Sequence, residues 1–185
     1  MRIGPWRHAQ GFRVAHRTPS QIRALAKSAR AVLGVSGHRI NMSWLLEDAL
    51  LRQGVHFHIV SPDQIQGDAA RAEPETGRIL LTEPAYEALC DEDPEYQLLV
   101  PHEIAHFALQ HAVTFARATM DGVHTALEDS EVQADLFAHE FAMPVELVRR
   151  SCVSVDDIAR AFNVPKKDAR IRADLLRQDG IMILR

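Results

Sequence analysis

Cysteine is nearly missing from this chain. Only Cys90 and Cys152 occur among 185 residues, too few and too far apart for a disulfide framework or a zinc site built on thiolates, so both read as reduced thiols. Long apolar runs are missing as well. No stretch approaches the roughly 18 uninterrupted apolar residues that a membrane-spanning helix needs, and the opening residues Met1 to His8 lack the apolar core of a signal peptide. The expectation is a cytoplasmic protein with no membrane partner. Glycine and proline, at nine each, are too sparse for a collagenous or low-complexity chain, and no internal repeat is present. What remains is the composition of an ordinary globular protein, 46% apolar and 25% charged, with a length that suits one domain and a small appendage.

Acidic residues are absent from the first forty positions, which carry eight basic side chains from Arg2 to Arg39. Residues 41 to 143 hold nineteen acidic and four basic side chains, and residues 144 to 185 hold six acidic and nine basic. The formal net charge of -4 therefore conceals a basic start beside an acidic body. Such a start can pack on that body, touch nucleic acid or meet an acidic partner, and the first is favoured because the nearest opposite charges lie on the same chain.

Apolar periodicity outlines the elements. Residues 1 to 18 show none and read as an extended basic arm. Thr18-Pro19-Ser20 offers a helix cap, and Ile22, Leu25, Ala26, Ala29, Val32 and Leu33 recur at helical spacing until Gly34. A second helix runs from Met42 to Arg52 and stops at Gly54. Val55 to Val60 alternates, which predicts a strand with Val55, Phe57 and Ile59 facing inward, and Arg78 to Thr82 predicts another. Two strands joined by a polar, turn-rich loop suggest a small antiparallel sheet. Helical patterns follow over Pro94 to His111, where Pro101 must start or kink a helix, and over Leu127 to Ala142, ending at Met143-Pro144. Val155 to Phe162 and Lys166 to Leu176 predict two more. The expected fold is α+β and mostly helical, with an arm over 1–18, a main domain over 19–144 and a helical extension over 145–185.

His102-Glu103-Ile104-Ala105-His106 is an H-E-x-x-H element on a predicted helix. Residues four apart lie one turn apart on one face, so both imidazoles can close on one zinc ion, and Glu103 beside them can take a proton from a water in the open position. With ten histidines in the chain, about 0.03 such matches arise by composition alone, so the context matters. A catalytic zinc needs a third protein ligand. Glu131 and Asp135, again four apart on a predicted helix, share a face. The expectation is that Glu131 binds the metal, while Asp135 accepts the free N–H of a liganding histidine, His102, and fixes its orientation. Glu128 and Asp129 better suit a solvated helix start.

Other metal patterns fail. The elongated H-E-x-x-H-x-x-G-x-x-H motif requires glycine at 109 and histidine at 112, where the chain has Leu109 and Ala112, so His111 is not that third ligand. His56 and His58 share a strand face, but exposed strand histidines are commoner than metal sites. His124, His139 or a tyrosine could stabilise a developing oxyanion, and the sequence places none of them. A closed structural zinc site is disfavoured by the absence of nearby cysteine.

The block H-E-I-A-H at 102 to 106, followed by E-V-Q-A-D-L-F-A-H-E-F-A-M-P from Glu131 to Pro144, resembles the ImmA/IrrE family of zincin-like metallopeptidases, over residues 42 to 180. The resemblance implies a gluzincin-type site with His102, His106 and Glu131 on Zn2+ and Glu103 as general base. It also implies regulated cleavage of a DNA-binding repressor, releasing stress-response or mobile-element genes. Bound substrate would lie antiparallel to an edge strand, expected at residues 78 to 82.

The tail from Val155 to Arg172 resembles a helix-turn-helix, with Arg170, Arg172 and Arg177 on its second helix as candidate DNA contacts. Asp168, Asp174 and Asp179 interrupt that basic face, so direct nucleic-acid binding is possible but not favoured. A non-proteolytic regulator that binds DNA or a repressor through this tail and the basic arm is the competing function. Salt-sensitive DNA binding indifferent to chelator would favour it.

Overall fold

The computed structural model describes residues 11–111 and 125–181. Helix α1 spans Pro19–Val32 and starts where the sequence places its cap: the Thr18 hydroxyl accepts from the Gln21 N–H while the Gln21 side chain accepts from the Thr18 N–H. This reciprocal box satisfies two of the donors a helix start leaves open. Ile22, Ala26 and Arg30, one turn apart, form its buried stripe. Gly34, at φ 71°, turns the chain out of the helix in a conformation that disfavours any side chain with a Cβ. Helix α2, Met42–Trp44, runs on into a π-helical stretch, Leu45–Leu50, and a 3-10 turn, Leu51–Gln53. The expected second helix is thus present, widened in its middle.

Three strands follow: β1 (His56–Val60), β2 (Ala70–Glu73) and β3 (Arg78–Thr82). The sheet order is β1-β3-β2, with β1 parallel and β2 antiparallel to β3. The two expected strands are there, but they pair in parallel, and the antiparallel partner is a third strand inside the segment expected to be a loop. Strand β3 is therefore central, and β1 and β2 are the two edges. Burial on β1 also departs from simple alternation: Phe57 is half-buried, whereas Ile59 is 49% exposed.

Helix α3 (Glu83–Cys90) leads to α4 (Leu99–Ala108), and α5 (Ser130–Ala142) follows a 3-10 turn at Ala126–Glu128. Pro101 sits in the first turn of α4, where its missing N–H would have no intrahelical partner in any case. Helix α5 is the centre of the molecule and packs against both α4 and α1. Its Phe137 and Phe141 are fully buried, each contributing about 2 kcal/mol of transfer free energy. The Arg30 guanidinium of α1 lies over the Phe141 ring and donates to the Phe141 carbonyl at 2.6 Å.

From residue 11 onward, the basic start of the chain packs on the acidic body. Val14 N–H donates to the Glu128 carbonyl, Arg13 pairs with Glu128 at 3.2 Å and Arg17 reaches the Leu109 carbonyl. Asp129 holds both partners: its Oδ1 caps α5 by accepting from the N–H groups of Glu131 and Val132, and its Oδ2 accepts from Gly11 N–H at 2.9 Å.

Helices α6 (Val145–Ser151), α7 (Val155–Phe162) and α8 (Lys166–Gln178) gather a second apolar cluster around Met143, Val148, Ile158, Phe162 and Leu176. The turn between α7 and α8 passes through Asn163 at φ 53° and Pro165. Arg170 and Arg177 are exposed as a DNA-reading helix would require, but Arg172 is not. It is fully buried, donating through Nε to the Met143 carbonyl and through Nη2 to Glu140, so it is unavailable to nucleic acid. Among the described residues no helix is long and apolar enough to cross a membrane.

Candidate active site

Three elements converge on one cleft. Helix α4 presents His102 and His106 one turn apart, the first turn of α5 presents Glu131, and β2 forms the facing wall. The ligand-type atoms of His102, His106 and Glu131 lie within 4.8 Å of one another, the spread of a group able to hold a metal ion. His102 Nε2 is 3.2 Å from Glu131 Oε2, and His106 Nε2 is 3.9 Å from Glu131 Oε1. Two imidazole nitrogens and one carboxylate oxygen fit a borderline divalent cation and leave a fourth position open.

Asp135, one turn beyond Glu131, accepts from His102 Nδ1–H at 2.9 Å. That bond directs Nε2 of His102 into the group, the arrangement expected of a carboxylate behind a liganding histidine. Glu103, between the two histidines in sequence, points to the cleft and is only 6% exposed. The backbone of Ala72 in β2 favours the charged form of this carboxylate, and both line the cleft, so the edge strand adjoins the group expected to act as base.

The electrostatics follow from burial and neighbours. Desolvation lifts the Glu103 carboxyl to about 7, against the opposing charge of His102. Burial alone would lower His102, but its bonds to Asp135 and Glu131 outweigh it and raise the imidazole to about 10. The bond to His102 holds Glu131 down near 2. Burial, then the charge on His102, pushes His106 down to about 3. A carboxyl that titrates near neutrality beside a group of metal-ligand type is suited to general acid–base work.

The cleft encloses about 1000 Å³, and its walls include Asp68, Arg71, Glu75, Tyr96 and His139. His139 is almost wholly buried and donates from Nδ1 to the Asp135 carbonyl on its own helix. His124 lies outside the described residues. His56 and His58 stand on β1, away from the lining of the cleft. Two residues that sequence reasoning left without a role adjoin the group: His111, 3.0 Å from His106, and Gln133, which contacts His111.

The residues that form this arrangement fall within a stretch, 51–174, that matches the family model for the IrrE N-terminal-like domain, peptidase family M78. The match covers more than half of the chain, and the chain belongs to that family, which makes it a peptidase-family protein with a group suited to a metal ion. Among solved structures, a transcriptional regulator from Mycobacterium tuberculosis is similar in fold, with a TM-score of 0.53 at 18% identity. The alignment covers 83% of this chain but only 46% of the regulator, so this chain spans about half of its length. Comparison with the curated proteins gives no significant match.

Proposed function

We propose that the protein is a zinc-dependent endopeptidase that cleaves a DNA-binding transcriptional repressor in the cytoplasm. The observation that carries this proposal is the placement of a buried, near-neutral Glu103 beside the His102, His106 and Glu131 group, in an open cleft walled by a sheet edge. His102, His106 and Glu131 would hold the ion, with Asp135 orienting His102. When bound, zinc supplies Lewis-acid chemistry, lowering the pKa of a water and polarising a peptide carbonyl. Glu103 takes the water proton on its carboxylate and delivers it to the leaving amine, so the same oxygen serves as base and then acid.

The substrate backbone is expected along β2, the edge strand next to Glu103, rather than along β3, which lies between two partners. Glu75 on that wall suits a basic side chain, the kind a DNA-binding protein offers, whereas Asp68 is paired with Arg71. The family of the chain and the likeness to a regulator's fold agree with a protein substrate in gene control. The burial of Arg172 weighs against DNA reading by α8.

The test is co-incubation with helix-turn-helix repressors encoded beside the protein's own gene. Wild-type protein should yield two fragments, and Glu103→Gln should yield none while keeping its metal. Cleavage retained by Glu103→Gln would refute the assignment of the base.

A further inference from the structure

The two histidines of the candidate metal group are braced in different ways. His102 leans on a carboxylate, Asp135, whereas His106 leans on a neutral pair. Gln133 is fully buried, and its amide nitrogen spends its hydrogens on the carbonyls of Ala15, at 2.9 Å, and Leu127, at 2.6 Å. Those two bonds fix the amide, so its Oε1 is the atom that faces His111 Nε2, 3.3 Å away. A carbonyl oxygen only accepts, and so Nε2 of His111 must carry hydrogen.

His111 is 1% exposed, and its hydrogen-bond partners among the described residues are neutral groups, an environment in which an imidazolium would be costly. Its second nitrogen, Nδ1, therefore holds a lone pair, and it lies 3.0 Å from Nδ1 of His106. One of two facing nitrogens must donate, and only His106 can. Its proton then sits on Nδ1, and its Nε2 keeps the lone pair that faces Glu131.

We propose that His111 is a positioning residue which, oriented by Gln133, fixes His106 as the Nδ1–H tautomer and so presents Nε2 to the metal. This inference rests on the metal-site assignment above. The local backbone explains how a residue five positions along can do this. A helix would carry position 111 off the face of 106, but Leu109 caps α4 and Gln110 turns at φ 56°, folding His111 back against the helix it has just left.

The first measurement is long-range 1H–15N spectroscopy of metal-free wild-type protein labelled at histidine. His106 should show the Nδ1–H pattern, which a free imidazole favours less, and His111 the Nε2–H pattern. An Nε2–H signature for His106 would overturn the proposal. This readout needs no variant and no metal, so a protein that failed to bind zinc would defeat the metal assignment and leave the relay decided by the spectrum alone.

The second is zinc affinity by chelator competition in His111→Phe and His111→Asn. The phenylalanine keeps bulk but offers no acceptor, and affinity should fall about 10- to 100-fold, the usual effect of removing a group behind a ligand. The asparagine carbonyl can stand where Nδ1 stood and should restore most of the loss. Folded His111→Phe with wild-type affinity, or Asn as weak as Phe, would reduce His111 to a packing residue.

Discussion

Glu140 and Arg172 form an ion pair sealed from solvent, Nη2 to Oε2 at 2.6 Å, with 6% and 0% of their side chains exposed. The other oxygen of Glu140 accepts from Arg23, which also pairs with Asp179. Helices α1, α5 and α8 thus meet on one carboxylate. This bond ties the second apolar cluster to the helix that carries Glu131.

Removing one member of a buried pair strands the other in a low dielectric. Arg172→Ala should destabilise the protein by about 3 kcal/mol or more, even with Arg23 still in place, because it also orphans the Met143 carbonyl. Urea denaturation gives the value. A loss under about 1 kcal/mol would mean that water replaces the guanidinium.

Glu103 should cost the metal-free protein stability at high pH. Its carboxyl rises from an ordinary 4.5 to about 7 on folding, so the protonated acid is the form the fold favours. That contribution is fully present below pH 4.5 and is lost as pH climbs through 7. Glu103→Gln should match wild type near pH 4 and exceed it by up to about 3 kcal/mol at pH 8, measured by denaturation without metal. Equal stability at both pH values would remove the case for a desolvated base.

Glu131→Ala should take the zinc content of purified protein from about one ion per chain to a small fraction. Elemental analysis of both proteins decides it. Undiminished zinc in the variant would place the third ligand elsewhere.

Gly11 has no room for a side chain. A Cβ there would stand 2.3 Å from Ser130 Oγ and 2.7 Å from Glu131 Cγ, distances no packed atoms tolerate. Gly11→Ala should cost about 1 to 3 kcal/mol and weaken zinc binding, because one displaced neighbour, Glu131, belongs to the candidate metal group. Thermal melts with and without zinc separate the two effects; a larger wild-type advantage with zinc present is expected.

Much of the site was legible because it is local. Residues 102 and 106 share a face by helical geometry alone, as do 131 and 135, and the cap at Thr18 is a three-residue pattern. What escaped depends on distant partners. Ala70-Arg71-Ala72-Glu73 has none of the β-branched or aromatic residues that mark a strand, and β3 makes it one. The charge of Arg172 suggests a DNA contact, although Ala169, Arg172, Ala173 and Leu176 follow the spacing of a buried stripe. His111 carried no such signal, since its contact with His106 depends on a single left-handed residue.

The bond from Gly11 to Asp129 spans 118 positions, and it fastens the turn on which Glu131 rides. During synthesis, residue 11 emerges long before residue 129 exists, so this clasp cannot close until most of the chain has left the ribosome. Completion of the cleft is a late event in the life of a nascent molecule, and a half-made chain carries its paired histidines without the carboxylate that would complete them.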